Sequence, residues 1–388
     1  MARRWLWWLV LLGVLLVVIS RFTNLQHLGD ALARAHWSWI VVATLLHAAF
    51  FLLHGNLYRL GFQAVGVSST VAGLLPVFFA STYLNAVAPS GGTAGAAVFV
   101  ADAKRRGESP ARAAVGTVVV LIADLATLLP FLAGGLLFLA RRGRLAYYDL
   151  LGASLYVVFV SGLVLALTLA RHRVRFLTRA LGWIERLVAR VAGWFRRSSP
   201  LGANWAHRVA TDLSAAAVAV FGKPRIVAQL VLAGTALHVV NLLGLYALFL
   251  AFEQPLGLSG LGTGLAGFSL GIVFYVIAII PQGLAAVEGI MGLVFTSLAM
   301  PAAPALGIIL AFRGMNFWLP LVLGLFFVRR LPDLGSGGGH DAGDRASTAA
   351  TGPSPGSSPP SSAPPARDAR TRTGQDGTGA TSGEAGGG

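Results

Sequence analysis

The stretch IIPQGLAAVEG, residues 279–289, decides how this chain is read. An apolar run that would otherwise continue as one membrane-spanning helix is interrupted there by Pro281, Gly283 and Gly289, and it carries an ionisable Glu288. Proline removes a helix hydrogen bond, and a carboxylate is costly against lipid. A broken helix inside a bilayer exposes backbone amides that need partners, so such breaks persist where they line a cavity or a binding site. The chemical counterpart of Glu288 follows in AFRGMNFWLP, residues 311–320, as Arg313.

Composition bounds the rest. Hydrophobic residues make up 55% of the 388 and charged residues only 12%, far below the roughly 25% charged of a soluble domain. The apolar segments are each about as long as the ~20 residues that cross a hydrocarbon core as a helix, whereas barrel strands would alternate over ~10. The expected fold class is all-α, a polytopic transmembrane helix bundle. With no cysteine there is no disulfide framework and no thiolate metal site. The formal charge of +15 would suggest nucleic acid in a soluble protein. Here the arginines flank spans, where they orient the chain and meet anionic headgroups, so nucleic acid is discounted.

Along the chain, Arg3 and Arg4 precede WLWWLVLLGVLLVVIS, residues 5–20, read as an uncleaved first span with a cytoplasmic start. A second span covers about 37–58 and contains His47, His54 and Asn56; seven-residue spacing puts both histidines on one face, where packing through hydrogen bonds outweighs a proton or metal role. Residues 71–107 hold a second broken segment, with Pro89, Gly91, Gly92 and Gly95 inside an apolar stretch. Arg59 before it and Lys104, Arg105 and Arg106 after it all favour the cytoplasmic side, which a re-entrant hairpin satisfies. Spans follow at about 111–140, with Asp124 near its centre, and 146–170, leaving Arg141, Arg142 and Arg144 outside against the positive-inside tendency. Residues 171–225 carry eleven basic residues against Glu185 and Asp212 and are expected in the cytoplasm. Within them Phe176, Leu177, Leu181, Ile184, Leu187, Val188 and Val191 fall opposite Arg179, Arg186 and Arg190, the pattern of an interfacial amphipathic helix. Further spans are expected at about 226–252, 257–280, 283–299 and 304–328, with Gly260, Gly264, Gly267 and Gly271 spaced for close helix packing. The domain reading is an integral membrane part over 1–330 and a Gly/Ser/Pro/Ala-rich tail over 331–388, too poor in large apolar residues to fold.

Set side by side, NAVAPSGGTAGAAV (85–98) and AIIPQGLAAVEGIM (278–291) share a proline, a glycine two residues on, and small residues leading into an apolar helix. Paired interruptions of this kind point to two broken or re-entrant helices related by an internal repeat, facing each other near the bilayer midplane. The half-helix after each break would present unpaired amides and a positive dipole end to an anion. Arg313, about 15 Å into the final span at ~1.5 Å per residue, either binds a phosphate or carboxylate through its guanidinium fork or pairs with Glu288 or Asp124. The candidate substrate-binding residues are Asn85, Pro89, Gly91, Gly92, Pro281, Gly283, Glu288 and Arg313. No catalytic residue, cofactor or metal is expected.

The segment Pro281 to Glu288, with Arg313, Trp318, Pro320 and Gly324 after it, resembles the closing signature of the lysylphosphatidylglycerol synthase transmembrane-region family, also described as flippase-like. PSGGTAGAAVFVADAKRRGES, Pro89 to Ser109, resembles that family's first signature, and the likeness extends over nearly all of residues 1–330. Two departures stand out. The family commonly has Pro-Gly-Gly-x-Gly where this chain has Gln282 and Ala285, and many members place Glu or Asp and Arg where Ile122 and Ala123 precede Asp124. Some members carry a soluble aminoacyl-transferring domain, and their membrane region is held to move the modified lipid across the bilayer. This sequence runs into the tail instead, so the resemblance implies the transport half alone: a multi-pass protein of the cell membrane, both termini cytoplasmic, that binds or translocates an anionic lipid or lipid-linked headgroup. Two alternatives stand beside it. One is a membrane partner for a separately encoded lipid- or glycan-modifying enzyme docked on the basic loop. The other is a membrane-embedded transferase, disfavoured because Asp102, Glu108, Asp124 and Glu288 are isolated acids and form no metal-binding cluster. No P-loop pattern is present.

Overall fold

A computed structural model describes residues 35–88, 93–194, 205–254, 257–277, 283 and 285–330. The expected first span, the tail from residue 331, and Pro89, Gly91, Gly92 and Pro281 lie outside these described residues. Every regular element among them is helical. In chain order these are α1 (Trp37–Ala64), α2 (Val71–Val87), α3 (Thr93–Arg105), α4 (Pro110–Arg141), α5 (Tyr147–His172), α6 (Val174–Trp194), α7 (Trp205–Phe221), α8 (Pro224–Ala251), α9 (Leu258–Ile277), α10 (Ala286–Ser297), α11 (Ala302–Arg313) and α12 (Leu319–Arg330), with one π-helical turn, Gly314–Trp318, joining the last two. Among the described residues six helices are long and apolar enough to cross a membrane: α1, α4, α5, α8, α9 and the continuous run from α11 into α12. The chain is a multi-pass membrane protein of the all-α class.

Local chemistry sets several boundaries. Thr70 caps α2 by accepting from the Gly73 amide at 3.2 Å, and Ser109 caps α4 ahead of Pro110, whose missing N–H costs nothing at a first helical position. Pro320 cannot donate to the carbonyl four residues back. The turn before it widens accordingly, the Leu319 amide reaching Gly314 five residues back.

The hydrogen bonds between connections define two ends of the bundle. At one end the Ser68 amide and hydroxyl donate to Glu108 at 3.0 and 2.5 Å, Arg112 donates to the Gly66 carbonyl at 3.2 Å, and Lys223 donates to the Ala64 carbonyl at 2.9 Å. At the other, the His36 amide donates to the Ala251 carbonyl at 2.9 Å. The segment α2–α3 therefore starts and finishes at one end: it is the expected re-entrant hairpin, interrupted between Val87 and Thr93. Along the second break α10 returns against α9, where a Cβ on Gly267 would lie 2.2 Å from the Phe295 ring and one on Gly271 3.1 Å from Met291. Because α8 carries the chain to the opposite end before α9 begins, the two hairpins enter from opposite ends. Their arms are unequal, 17 and 13 residues against 20 and 12, which does not by itself establish an internal repeat.

Of the four glycines spaced for packing, Gly267 and Gly271 make the close approach, while the contact with α4 is made at Gly262 beside Phe138. The amphipathic helix is α6, with Phe176, Trp183, Ile184 and Leu187 exposed and Leu177 buried. A second helix in the basic connection, α7, buries Ala210, Leu213, Ala216 and Ala217 against its neighbours. The sequence reading missed it because alanines make a weak apolar stripe.

Candidate functional site

Between the two hairpins lies a cavity of about 610 Å³. Residues of both broken segments border it: Ser81, Thr82 and Asn85 from α2, and Gly271, Tyr275, Val276, Val287 and Met291 from α9 and α10. The described arms of both broken segments thus share one cavity. Its remaining walls come from α1 (Phe50, Phe51, His54, Tyr58), α4 (Asp124, Leu125, Leu128), α5 (Tyr156, Phe159), α8 (Leu237, His238, Asn241) and the last span (Phe312, Arg313, Asn316, Pro320).

Arg313 is buried, with 5% of its surface exposed, and it faces this cavity. Its Nε donates to Glu288 Oε1 at 2.6 Å, and its guanidinium carbon sits 4.7 Å from the centre of the Phe317 ring. The sequence left open whether Arg313 would pair with Glu288 or Asp124; the partner is Glu288. Counted at ~1.5 Å per residue, Glu288 lies about 14 Å from the Ser297 end of α10 and Arg313 about 16 Å from the Ala302 start of α11, so both stand at the same depth. Glu288 also occupies the first turn of α10, where a carboxylate meets the positive dipole end. That helix N-terminus, expected to be free for an external anion, is already next to the protein's own anion. Glu288 Oε2 is buried and has no hydrogen-bond partner among the described residues.

The remaining candidate residues divide. Asn85 lines the cavity, and its Oδ1 accepts from the Gly95 amide at 2.8 Å in the first turn of α3, capping that helix from across the hairpin. A Cβ on Gly95 would lie 2.2 Å from Asn85 Nδ2 and 2.5 Å from Ser81 Oγ, so only glycine allows the two arms this close. Gly283 is buried at φ +60°, where a Cβ would lie 2.9 Å from the Tyr275 backbone; it brings the return segment against α9 and does not itself line the cavity. Next to it Ala285 adopts φ 65°, a left-handed conformation that an L-residue reaches only at a cost. This is one of the positions where the chain departs from the glycine-rich pattern.

His47 and His54 have separate roles. The Nδ1 of His47 donates to the Ala43 carbonyl at 2.7 Å, so its Nε2 is the acceptor for Asn316 Nδ2 at 2.7 Å; the same amide group donates to Asn241 Oδ1 at 3.2 Å. These contacts tie α1, α8 and the π-helical turn together and confirm a packing role for His47. His54 faces the cavity among Tyr58 and Phe78. Asp124 stands beside His238, whose Nε2 is 3.0 Å from the Asp124 backbone carbonyl and 3.5 Å from its carboxylate Oδ1. The sequence reading did not single out His238, Asn241 or Asn316. Polar residues at 238 and 241, one turn apart in an apolar span, were the signal available for two of them.

Among the described residues no group of three or more His, Asp or Glu side chains is placed to hold a metal ion. The cavity has mid-depth polar groups within an aromatic wall and an ion pair at the edge of a broken helix, so it offers hydrogen-bonding and charged groups in an apolar surround. No curated protein and no solved structure matches the chain. The family model described as "Lysylphosphatidylglycerol synthase TM region" matches residues 5–324, a span that takes in both hairpins, the cavity and Arg313. With that match extending over more than four-fifths of its length, the chain belongs to the lysylphosphatidylglycerol synthase transmembrane-region family.

Proposed function

We propose that this protein binds the headgroup of an anionic lipid or lipid-linked phosphate in the central cavity and passes it between leaflets while the acyl chains remain in the bilayer. The observation that carries the reading is Arg313: a permanently charged guanidinium, buried at mid-depth, on the wall of a cavity bordered by two broken helices. Its pairing with Glu288 lowers the net charge of the site. An entering phosphate then competes with the carboxylate for the guanidinium, so binding can be strong enough to admit a headgroup and weak enough to release it. In this reading the chain carries out no covalent chemistry. The basic end, which holds Lys104, Arg105, Arg106, Arg112 and Lys223, lies in the cytoplasm of a cell membrane.

The test is headgroup translocation in liposomes reconstituted with the wild type, Arg313→Ala and Glu288→Gln. Loss of translocation in Arg313→Ala supports the reading; unaltered translocation in both variants removes these residues from the mechanism.

A further inference from the structure

His238 is 4% exposed and lines the cavity. Its Nε2 faces two acceptors, the Asp124 carbonyl at 3.0 Å and the Asp124 Oδ1 at 3.5 Å, so that nitrogen carries the hydrogen. The other nitrogen, Nδ1, is then a bare lone pair. It is buried and has no hydrogen-bond partner among the described residues, and the same holds for Nδ1 of His54 in the same cavity wall, while Asp124 Oδ1 makes only its 3.5 Å approach to His238. Orphaned buried polar atoms are costly, and two such ring nitrogens on the wall of one cavity point to a site that receives a polar group.

We propose that His238 Nδ1 is a proton-binding site, with Asp124 as its counter-charge, and that its occupancy is coupled to entry of a headgroup into the cavity. This deepens the function proposed above and rests on it. A proton arriving from water in the cavity adds to the bare Nδ1, and the imidazolium so formed is offset by the carboxylate beside Nε2. The new N–H then needs an acceptor, and the described residues offer none. A phosphate oxygen in the cavity supplies one, so each ligand favours the other, and linkage makes the effect reciprocal.

His238 is set apart by its geometry, because Asp124 engages its Nε2 and leaves its Nδ1 facing the cavity wall without a partner among the described residues. From α1, His47 has both nitrogens engaged, while His54 stands in the same wall with an Nδ1 that has no partner among the described residues. Tyr58, Tyr156 and Tyr275 bring phenol groups to the same wall. Arg313 stays charged throughout and is held by Glu288. None of His207, Arg208 and Asp212 on α7 lines the cavity.

The experiment measures binding of dihexanoyl phosphatidylglycerol to the purified full chain as a function of pH, with dihexanoyl phosphatidylcholine as control. Coupling to one proton strengthens wild-type binding by up to about tenfold for each unit of pH lowered through the titration, with proton uptake when lipid is added to a weakly buffered sample. His238→Gln keeps a donor to the Asp124 carbonyl and cannot take up the proton, so its pH profile is flat. Asp124→Asn, which serves also if His238→Gln does not fold, shifts the profile to lower pH. Phosphatidylglycerol binding without pH dependence, or an unchanged slope in His238→Gln, overturns the proton site and leaves the headgroup site standing. Equal binding of both lipids at every pH overturns the headgroup reading and the proton site with it.

Discussion

The Arg313–Glu288 pair gives the sharpest test of the architecture, because its two members differ in exposure. The side chain of Arg313 is 6% exposed and that of Glu288 27%, and their nearest atoms are 2.6 Å apart. Charge centres about 4 Å apart at an effective dielectric near 20 attract by roughly 4 kcal/mol. Removing one member of a buried pair typically costs 3–5 kcal/mol, since the survivor is left charged and unpaired. Glu288→Gln takes the carboxylate from a guanidinium that cannot shed its proton, and the expected loss is about 3 kcal/mol. Arg313→Met keeps an apolar stem beside Phe317 and strands a carboxylate that can reach cavity water or take up a proton, so the expected loss is smaller, about 2 kcal/mol. The double variant strands neither charge and should recover most of both losses. The assay is reversible unfolding by sodium dodecyl sulfate in mixed micelles, assembled as a double-mutant cycle. A coupling of about 2 kcal/mol or more is expected. Additivity of the two single changes to within about 0.5 kcal/mol would refute the reasoning, because it would mean the pair is solvated or open.

Ala285→Gly should stabilise the protein: relieving a left-handed alanine returns about 1–2 kcal/mol, less roughly 0.4–1 for the freer unfolded chain, and the same unfolding assay would read a gain of about 0.5–1 kcal/mol. Gly324→Ala would put a Cβ 2.2 Å from the Phe79 carbonyl oxygen and 2.6 Å from Tyr83 Cβ; backbone cannot yield as a side chain can, so a loss of about 2 kcal/mol is expected as α12 is pushed off α2. At the basic end the Ser68 hydroxyl and amide, with Arg112 and Arg106, hold the Glu108 carboxyl below its usual range. A depressed folded value means the stabilisation is fully present above the unfolded value near ~4.3 and is lost as pH falls through the folded one. Glu108→Gln should therefore lower the melting temperature at neutral pH and match the wild type in acid, and a gap that persists unchanged in acid would contradict the assignment.

How much of this was legible in the chain can be seen residue by residue. Local composition was enough for the long spans, because twenty apolar residues in lipid have no arrangement but a helix that satisfies their own backbone, but not for 283–299, expected as a span and found as the twelve-residue return helix α10, too short to cross. It was enough for the re-entrant hairpin as well: proline and glycine at 89–92 disfavour a continuous helix, α2 ends at Val87 and α3 begins at Thr93, and Arg59 and Lys104 demand the same side. Arg313 and Glu288 announced themselves by their cost in an apolar setting. The choice of partner was not legible, since 25 residues of chain separate Arg313 from Glu288 and only the return of α10 along α9 brings them together. Asp124 stood alone in the sequence until the α4–α8 crossing gave it His238. Asn316 became a link between α1 and α8 only because Pro320 widens the turn that carries it. By itself the sequence determined which segments enter the membrane and where they break, because those follow from the solvation of each residue and its own backbone. Which polar side chains meet inside, and what cavity they enclose, depended on how the helices cross, a property of contacts between segments that no single segment carries.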